Sequence, residues 1–127
     1  MSQDTALGVG KALVNLCKQG KNLEAVDTLY SKNVVSIEPG AMGDMPARQE
    51  GLAAIRGKNQ WWLENHEVHS GDVKGPFPHG EDRFACWFGF DVTNKPSGQQ
   101  IQMEEVAIFT VKDGKIAQEE FFYQMGG

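Results

Sequence analysis

Glu105-Val106-Ala107-Ile108-Phe109-Thr110-Val111-Lys112-Asp113-Gly114-Lys115-Ile116-Ala117-Gln118-Glu119-Glu120-Phe121-Phe122-Tyr123 is the stretch that decides the fold. Two runs rich in β-branched and aromatic residues flank Lys112-Asp113-Gly114, which carries the turn chemistry of a hairpin. Residues 101–111 and 115–123 are therefore predicted to pair as antiparallel strands. With Gly114 in a left-handed bulge position, Val111 opposes Lys115, Ala107 lies beside Glu119, and Glu105 lies beside Phe121. A two-residue Asp-Gly turn instead shifts the pairing by one and changes which residues share a face.

In the bulged register Glu105, Ala107, Phe109, Ala117, Glu119, Phe121 and Tyr123 share one face, leaving Val106, Ile108, Ile116 and Phe122 on the other. Both faces carry apolar residues. A sheet apolar on both sides in so short a chain predicts helices and a pocket against one face and a second subunit against the other. Upstream, Phe84, Cys86, Phe88, Phe90 and Val92 alternate with Ala85, Trp87, Gly89 and Asp91, another strand whose Phe face must be covered, and residues 94–98 form a turn.

Further back, residues 75–80 read as a loop and Val68 and Val73 flank a weak strand. From Gly51 to about His66, Leu52, Ile55, Trp62 and Leu63 fall on one side of a helix, with His66 near that stripe and Trp61 pointing the opposite way. Residues 34–38 form a short strand ended by Pro39-Gly40, and residues 41–50 a loop able to serve as a rim or lid. Val9, Leu13, Leu16 and Cys17 mark a first helix that stops at Gly20. Leu23, Val26, Leu29 and Tyr30 mark a second, with Asn22 as its N-cap.

With 127 residues the chain fits one domain, residues 1–127, large enough for one core. A net charge of -5 and no Lys/Arg cluster argue against nucleic acid or an anionic membrane as partner. The N-terminal residues lack the basic and apolar regions of a signal peptide, so a soluble cytoplasmic protein is expected. Cys17 and Cys86 form no ligand pattern and read as small core hydrophobes. His66, Glu67 and His69, with His79 later, do not make an HExxH motif, so no metal and no other cofactor is expected.

Carboxylates are seldom buried without compensation, so Glu38, Glu105 and Glu119 on inward strand positions are the chemical signal of the chain. Desolvation raises the proton affinity of a carboxylate at an apolar pocket, which suits it to proton abstraction. Glu38 is the favoured base, Glu105 and Glu119 are candidates for a second acid–base group, and Tyr123 is a candidate donor to a developing oxyanion. The bland alternative for the two strand acids is a structural network with Tyr123, Trp62 or His66, and Glu120 competes with Glu119 for the inward position. Trp62, His66, Trp61, Phe88, Phe109 and Phe121 are the candidate ligand-lining residues.

Tyr30-Ser31-Lys32-Asn33-Val34-Val35-Ser36-Ile37-Glu38-Pro39, Gly51-Leu52-Ala53-Ala54-Ile55 and Val111-Lys112-Asp113-Gly114-Lys115-Ile116 resemble the nuclear transport factor two-like superfamily, and the C-terminal strands resemble SnoaL-like domains. The resemblance implies an α+β fold: three helices packed on a strongly curved, mainly antiparallel sheet that forms a cone-shaped half barrel with an apolar pocket. It also implies a homodimer through the outer sheet face. In steroid delta-isomerase-like members the acid directly before the proline is the general base, and Glu38 holds that place. Their oxyanion-hole tyrosine and aspartic acid fall here at Leu13 or Val14 and at Val106 or Ala107, so that device is missing. The expected function is a cofactor-independent isomerase, cyclase or lyase acting on a small hydrophobic carbonyl compound; the alternative is a non-catalytic binding or accessory homodimer.

Overall fold

The structure, a computed structural model, describes residues 5–41 and 44–123. Helix α1 (Ala6–Lys18) starts at Thr5, whose hydroxyl accepts a hydrogen bond from the Gly8 amide. Helix α2 (Asn22–Leu29) leads directly into strand β1 (Tyr30–Ile37). Asn22, expected as the cap of α2, is its first helical residue; Lys21 holds the cap position and supplies no side-chain bond. Strand β2 (Arg48–Glu50) precedes helix α3 (Leu52–Asn65), followed by β3 (His66–His79), β4 (Arg83–Asn94), β5 (Gln99–Lys112) and β6 (Lys115–Phe122).

The six strands form one open sheet in the order β2-β1-β6-β5-β4-β3. All neighbours run antiparallel except β1 and β6, so the sheet is mixed. The expected α+β architecture of three helices on such a sheet is what the chain adopts. The rim expected over residues 41–50 lies partly outside the described residues, at 42 and 43; the remainder includes β2, which pairs with β1. Residues 75–80, expected as a loop, are largely strand: Phe77, Pro78 and His79 pair with Ala85, Phe84 and Arg83. Pairing to the Phe-rich β4 outweighs the local Gly/Pro composition.

The hairpin corrects the expected register in two one-residue steps that add to a slip of two and so preserve the faces. Asp113 and Gly114 both have positive φ, 54° and 76°, so the loop is the two-residue kind and Lys112 pairs with Lys115. Val111 then faces Ile116, and an irregularity beside Ala117 shifts the pairing once more, so that Phe109 opposes Glu119 and Ala107 opposes Phe121. A total slip of two leaves Glu105, Ala107, Phe109, Glu119 and Phe121 on one face, as expected. Only the turn-proximal residues change: Ile116 is buried rather than outward.

On that face the core is built from Phe84, Cys86, Phe88, Phe109 and Ile116 of the sheet and Val9, Leu13, Val26 and Ile55 of the helices. The Phe84 and Phe109 rings stack with centroids 4.9 Å apart. Gly10 permits α1 to cross β3 closely, because a Cβ there would stand 2.7 Å from Pro76 Cβ and 3.0 Å from the Phe84 ring. Alanine in place of glycine favours a helix interior by about 1 kcal/mol, but overpacking a rigid contact costs about 1–3 kcal/mol. Gly10→Ala is therefore expected to lower stability in urea denaturation despite its better helix propensity.

Candidate functional site

Strands β1, β5 and β6 and helix α3 converge on one cavity of about 190 Å³. Strand β1 ends at Glu38, whose amide donates to the Ala47 carbonyl at 2.8 Å, directing the side chain inward just before Pro39. The parallel pairing of β1 with β6 sets Ser36 beside Glu119. Helix α3 brings Lys58 down onto both strands, on the same stripe as Ile55 and Trp62. Glu105 enters from β5, opposite Phe88 of β4.

These residues form a continuous chain of hydrogen bonds. The Tyr30 hydroxyl donates to Glu119 Oε1 at 2.5 Å, and the Ser36 hydroxyl donates to Glu119 Oε2 at 2.7 Å. Lys58 Nζ donates to Ser36 Oγ at 2.5 Å and to Glu38 Oε2 at 2.7 Å, and stands 3.7 Å from Glu119 Oε2. The Tyr123 hydroxyl donates to Glu38 Oε1 at 2.6 Å. Side-chain exposures of 8% for Lys58, 9% for Glu38 and 2% for Glu119 place the ion pairs out of water, where each charge depends on its partners.

Both phenols are held protonated. Burial, then the Glu119 charge, pushes Tyr30 well above the ordinary tyrosine range; burial, then the hydrogen bond to Glu38, raises Tyr123. Burial likewise pushes the Cys17 thiol to about 11 and the Cys86 thiol to about 12, in keeping with their reading as small core hydrophobes. Glu105 differs from the other two acids. It makes no side-chain hydrogen bond among the described residues, and desolvation, then the Glu38 and Glu119 charges, raise it to about 7, with Lys58 acting weakly against the shift.

Every expected acid–base residue reaches this cavity: Glu38, Glu105, Glu119 and Tyr123. Glu119 rather than Glu120 is the inward residue of β6. Among the expected lining residues, Trp62, Phe88, Phe109 and Phe121 line the cavity, and so does Trp61, although it was expected on the opposite side of α3. His66 is not part of the lining. It stacks on Trp62 with centroids 4.5 Å apart, its Nδ1 lies 2.8 Å from the Trp62 carbonyl oxygen, and it braces the wall from behind. Among the described residues no group of His, Cys, Asp and Glu could hold a metal ion, and no helix is long and apolar enough to cross a membrane.

Sequence reasoning missed Lys58 and Tyr30 as site residues. The signal for Lys58 was present, since Ile55, Lys58 and Trp62 follow the i, i+3, i+7 spacing of one helix face. A buried lysine on an apolar stripe demands a carboxylate partner, and here it has two.

Three helices on an open mixed sheet around a partly acidic cavity give the chain the fold of nuclear transport factor two-like proteins. Within it the chain belongs to the SnoaL-like domain family, whose pattern matches residues 5–123. A Mesorhizobium loti protein, provisionally described as a SnoaL-like polyketide cyclase and, in brackets, a carbohydrate phosphatase, is 45% identical over 91% of this chain and 96% of that one, with a TM-score of 0.83. A Pseudomonas putida protein provisionally described as a polyketide cyclase is 20% identical, covering 95% and 92%, at a TM-score of 0.71. A Catenulispora acidiphila protein with a ketosteroid isomerase-like fold, in complex with trimethylamine, is 15% identical, covering 92% and 85%, at 0.70; these last two likenesses concern the fold alone. No curated protein matches the chain.

Two outcomes follow from this charge arrangement. Lys58→Met removes the cation between Glu38 and Glu119, and loss of one partner from a buried ion pair costs about 3–5 kcal/mol, to be read as a lowered urea midpoint at pH 7. Glu105 behaves in the reverse sense to a salt-bridged acid. Its folded-state proton affinity exceeds the unfolded one, so it withdraws stability as pH rises from its ordinary value of 4.5 to about 7. Glu105→Gln is expected to exceed the wild type in stability at pH 8, by up to about 3 kcal/mol, with the gap closing below pH 4.5.

Proposed function

We propose that this protein is a cofactor-independent acid–base enzyme of isomerase, cyclase or lyase type, acting on a small hydrophobic carbonyl compound. One observation carries the reading: Glu38 and Glu105 line the same apolar cavity in opposite electrostatic settings. Glu38 is ion-paired to Lys58 and held by Tyr123, so its carboxyl group is oriented and faces a compensating cation. Glu105 retains its proton up to about 7 and can donate it in a hydrogen bond. Carboxyl groups whose environments separate them in this way divide into base and acid.

In the proposed reaction a Glu38 oxygen takes a proton from the carbon beside the substrate carbonyl. The C–H electron pair forms the enolate carbon–carbon π bond, and the carbonyl π pair moves onto oxygen. Protonated Glu105 donates a hydrogen bond to that oxygen, supplying the stabilisation that apolar residues at Leu13 or Val14 and at Val106 or Ala107 cannot. Glu38 then returns the proton to the same or a conjugated carbon, and no oxidant, reductant or metal is consumed. Glu119 and Lys58 hold the base in place without touching the substrate. The reading includes a cytoplasmic homodimer formed through the outer sheet face, where Val106 and Phe122 are exposed, and no nucleic-acid or membrane partner.

The test is uptake of deuterium from D₂O into a panel of small cyclic and aryl ketones, followed by ¹H NMR. Exchange beside the carbonyl is expected in the wild type and to fall by about 10²–10⁴ in Glu38→Gln. Wild-type exchange is expected to decline as pH rises through about 7, and Glu105→Gln, still a donor, to keep exchange but lose that decline. Loss of exchange in Glu105→Gln with retention in Glu38→Gln would reverse the two roles. The apolar residues at the positions of the missing oxyanion device, Leu13 or Val14 and Val106 or Ala107, favour a second reading, a binding protein without turnover. It predicts a ligand retained through purification and returned unchanged.

A further inference from the structure

Trp62, which lines the cavity described above, also borders a second one. This second cavity, of about 270 Å³, lies beyond that ring, between the end of α1, the last turn of α3 and β3. Cys17, Asn22, Trp62, Phe88 and Phe90 line both spaces, so the two share a wall. Within that wall Trp62 and Phe90 meet with ring centroids 5.6 Å apart, and His66 stacks on Trp62. Gly71 gives Phe90 its place, because a Cβ at that position would stand 3.0 Å from the Phe90 ring.

Size and chemistry point the same way. Volumes of about 190 Å³ and 270 Å³ each fall below the roughly 300 Å³ at which small-molecule sites begin, whereas the two joined lie inside that range. The first space holds Glu38, Glu105 and Glu119. The second holds none of them: Leu63, Val68, Val73 and the two phenylalanines make its walls, and its charged residues, Lys18 and Asp72, are exposed. It offers burial to an apolar chain and no group for proton transfer.

We infer that the second cavity is a tail subsite of the same ligand, so that the substrate is an elongated molecule with a carbonyl head in the acidic chamber and an apolar tail running past the Trp62–Phe90 wall. The identity of the head rests on the proposed function; the tail subsite rests on the shared wall and the two volumes. Each methylene moved out of water contributes about a fourfold gain in affinity.

Quenching of tryptophan fluorescence by straight-chain methyl ketones, from 2-hexanone to 2-dodecanone, tests the inference. In the wild type, Kd is expected to fall about fourfold per methylene through the longer ketones. Val68→Trp and Leu63→Trp alter residues 44% and 38% exposed, which the fold tolerates, and plug the second chamber. Both are expected to bind the short ketones as the wild type does and to level off with the longer ones. An identical length dependence in all three proteins, or no binding of any ketone, overturns the tail subsite. Glu38-dependent deuterium uptake into the small cyclic and aryl ketones is read separately, so failure of the subsite and failure of the proposed chemistry are told apart.

Discussion

Lys58 is the charge on which the site is balanced. Its ammonium lies between Glu38 and Glu119, and through Ser36 it completes the hydrogen bonding of the deeper acid. Removing it would leave both acids in an apolar hollow without a cation, and an uncompensated buried charge costs several kcal/mol. Because the lysine comes from α3 and the acids from β1 and β6, one interaction sets where the helix lies and makes both strands' inner faces polar at one end. A well-packed apolar trio would cost less to bury, so the retention of charge here is most simply understood as serving the cavity rather than the core.

The network also explains why Glu105 stands apart. Tyr30, Ser36, Lys58 and Tyr123 are all committed to Glu38 and Glu119, and β5 delivers Glu105 beside Phe88, where the neighbourhood offers burial and like charge. Proton affinity in the site thus follows from the allocation of donors. The acids with partners are anchors, and the acid without them is the one whose protonation changes near neutrality.

Much of this was legible because it depended on parity alone. Alternation from Phe84 to Val92 gave a strand with one buried face, and the inward positions of Glu105, Glu119 and Phe121 survived a wrong register because a slip of two residues restores the faces. The irregularity beside Ala117 that produces the second step has no glycine or other local mark and is visible only in the pairing. Residues 75–80 were misread because glycine and proline signal turns locally, while the decision lay with a partner strand. Lys58 was overlooked for a different reason. A lysine is ordinarily placed in water by default, and its burial follows only once the acids facing it are known. His66 sits next to the stripe that predicted it, but the helix ends at Asn65, and its ring turns to the back of Trp62 instead.

The sheet order sets β1, near the start of the chain, directly beside β6, near its end, and the bond from Tyr30 to Glu119 spans 89 residues. Contacts of such sequence separation are paid for by a large loop closure and form slowly. On the ribosome, β3 to β5 can emerge and pair as a meander while the acidic chamber still has no far wall. The cavity and its buried charge network are therefore among the last parts of the molecule to come into being. Until β6 leaves the exit tunnel, Tyr30 and Ser36 lack the Glu119 carboxylate that accepts from both in the finished fold.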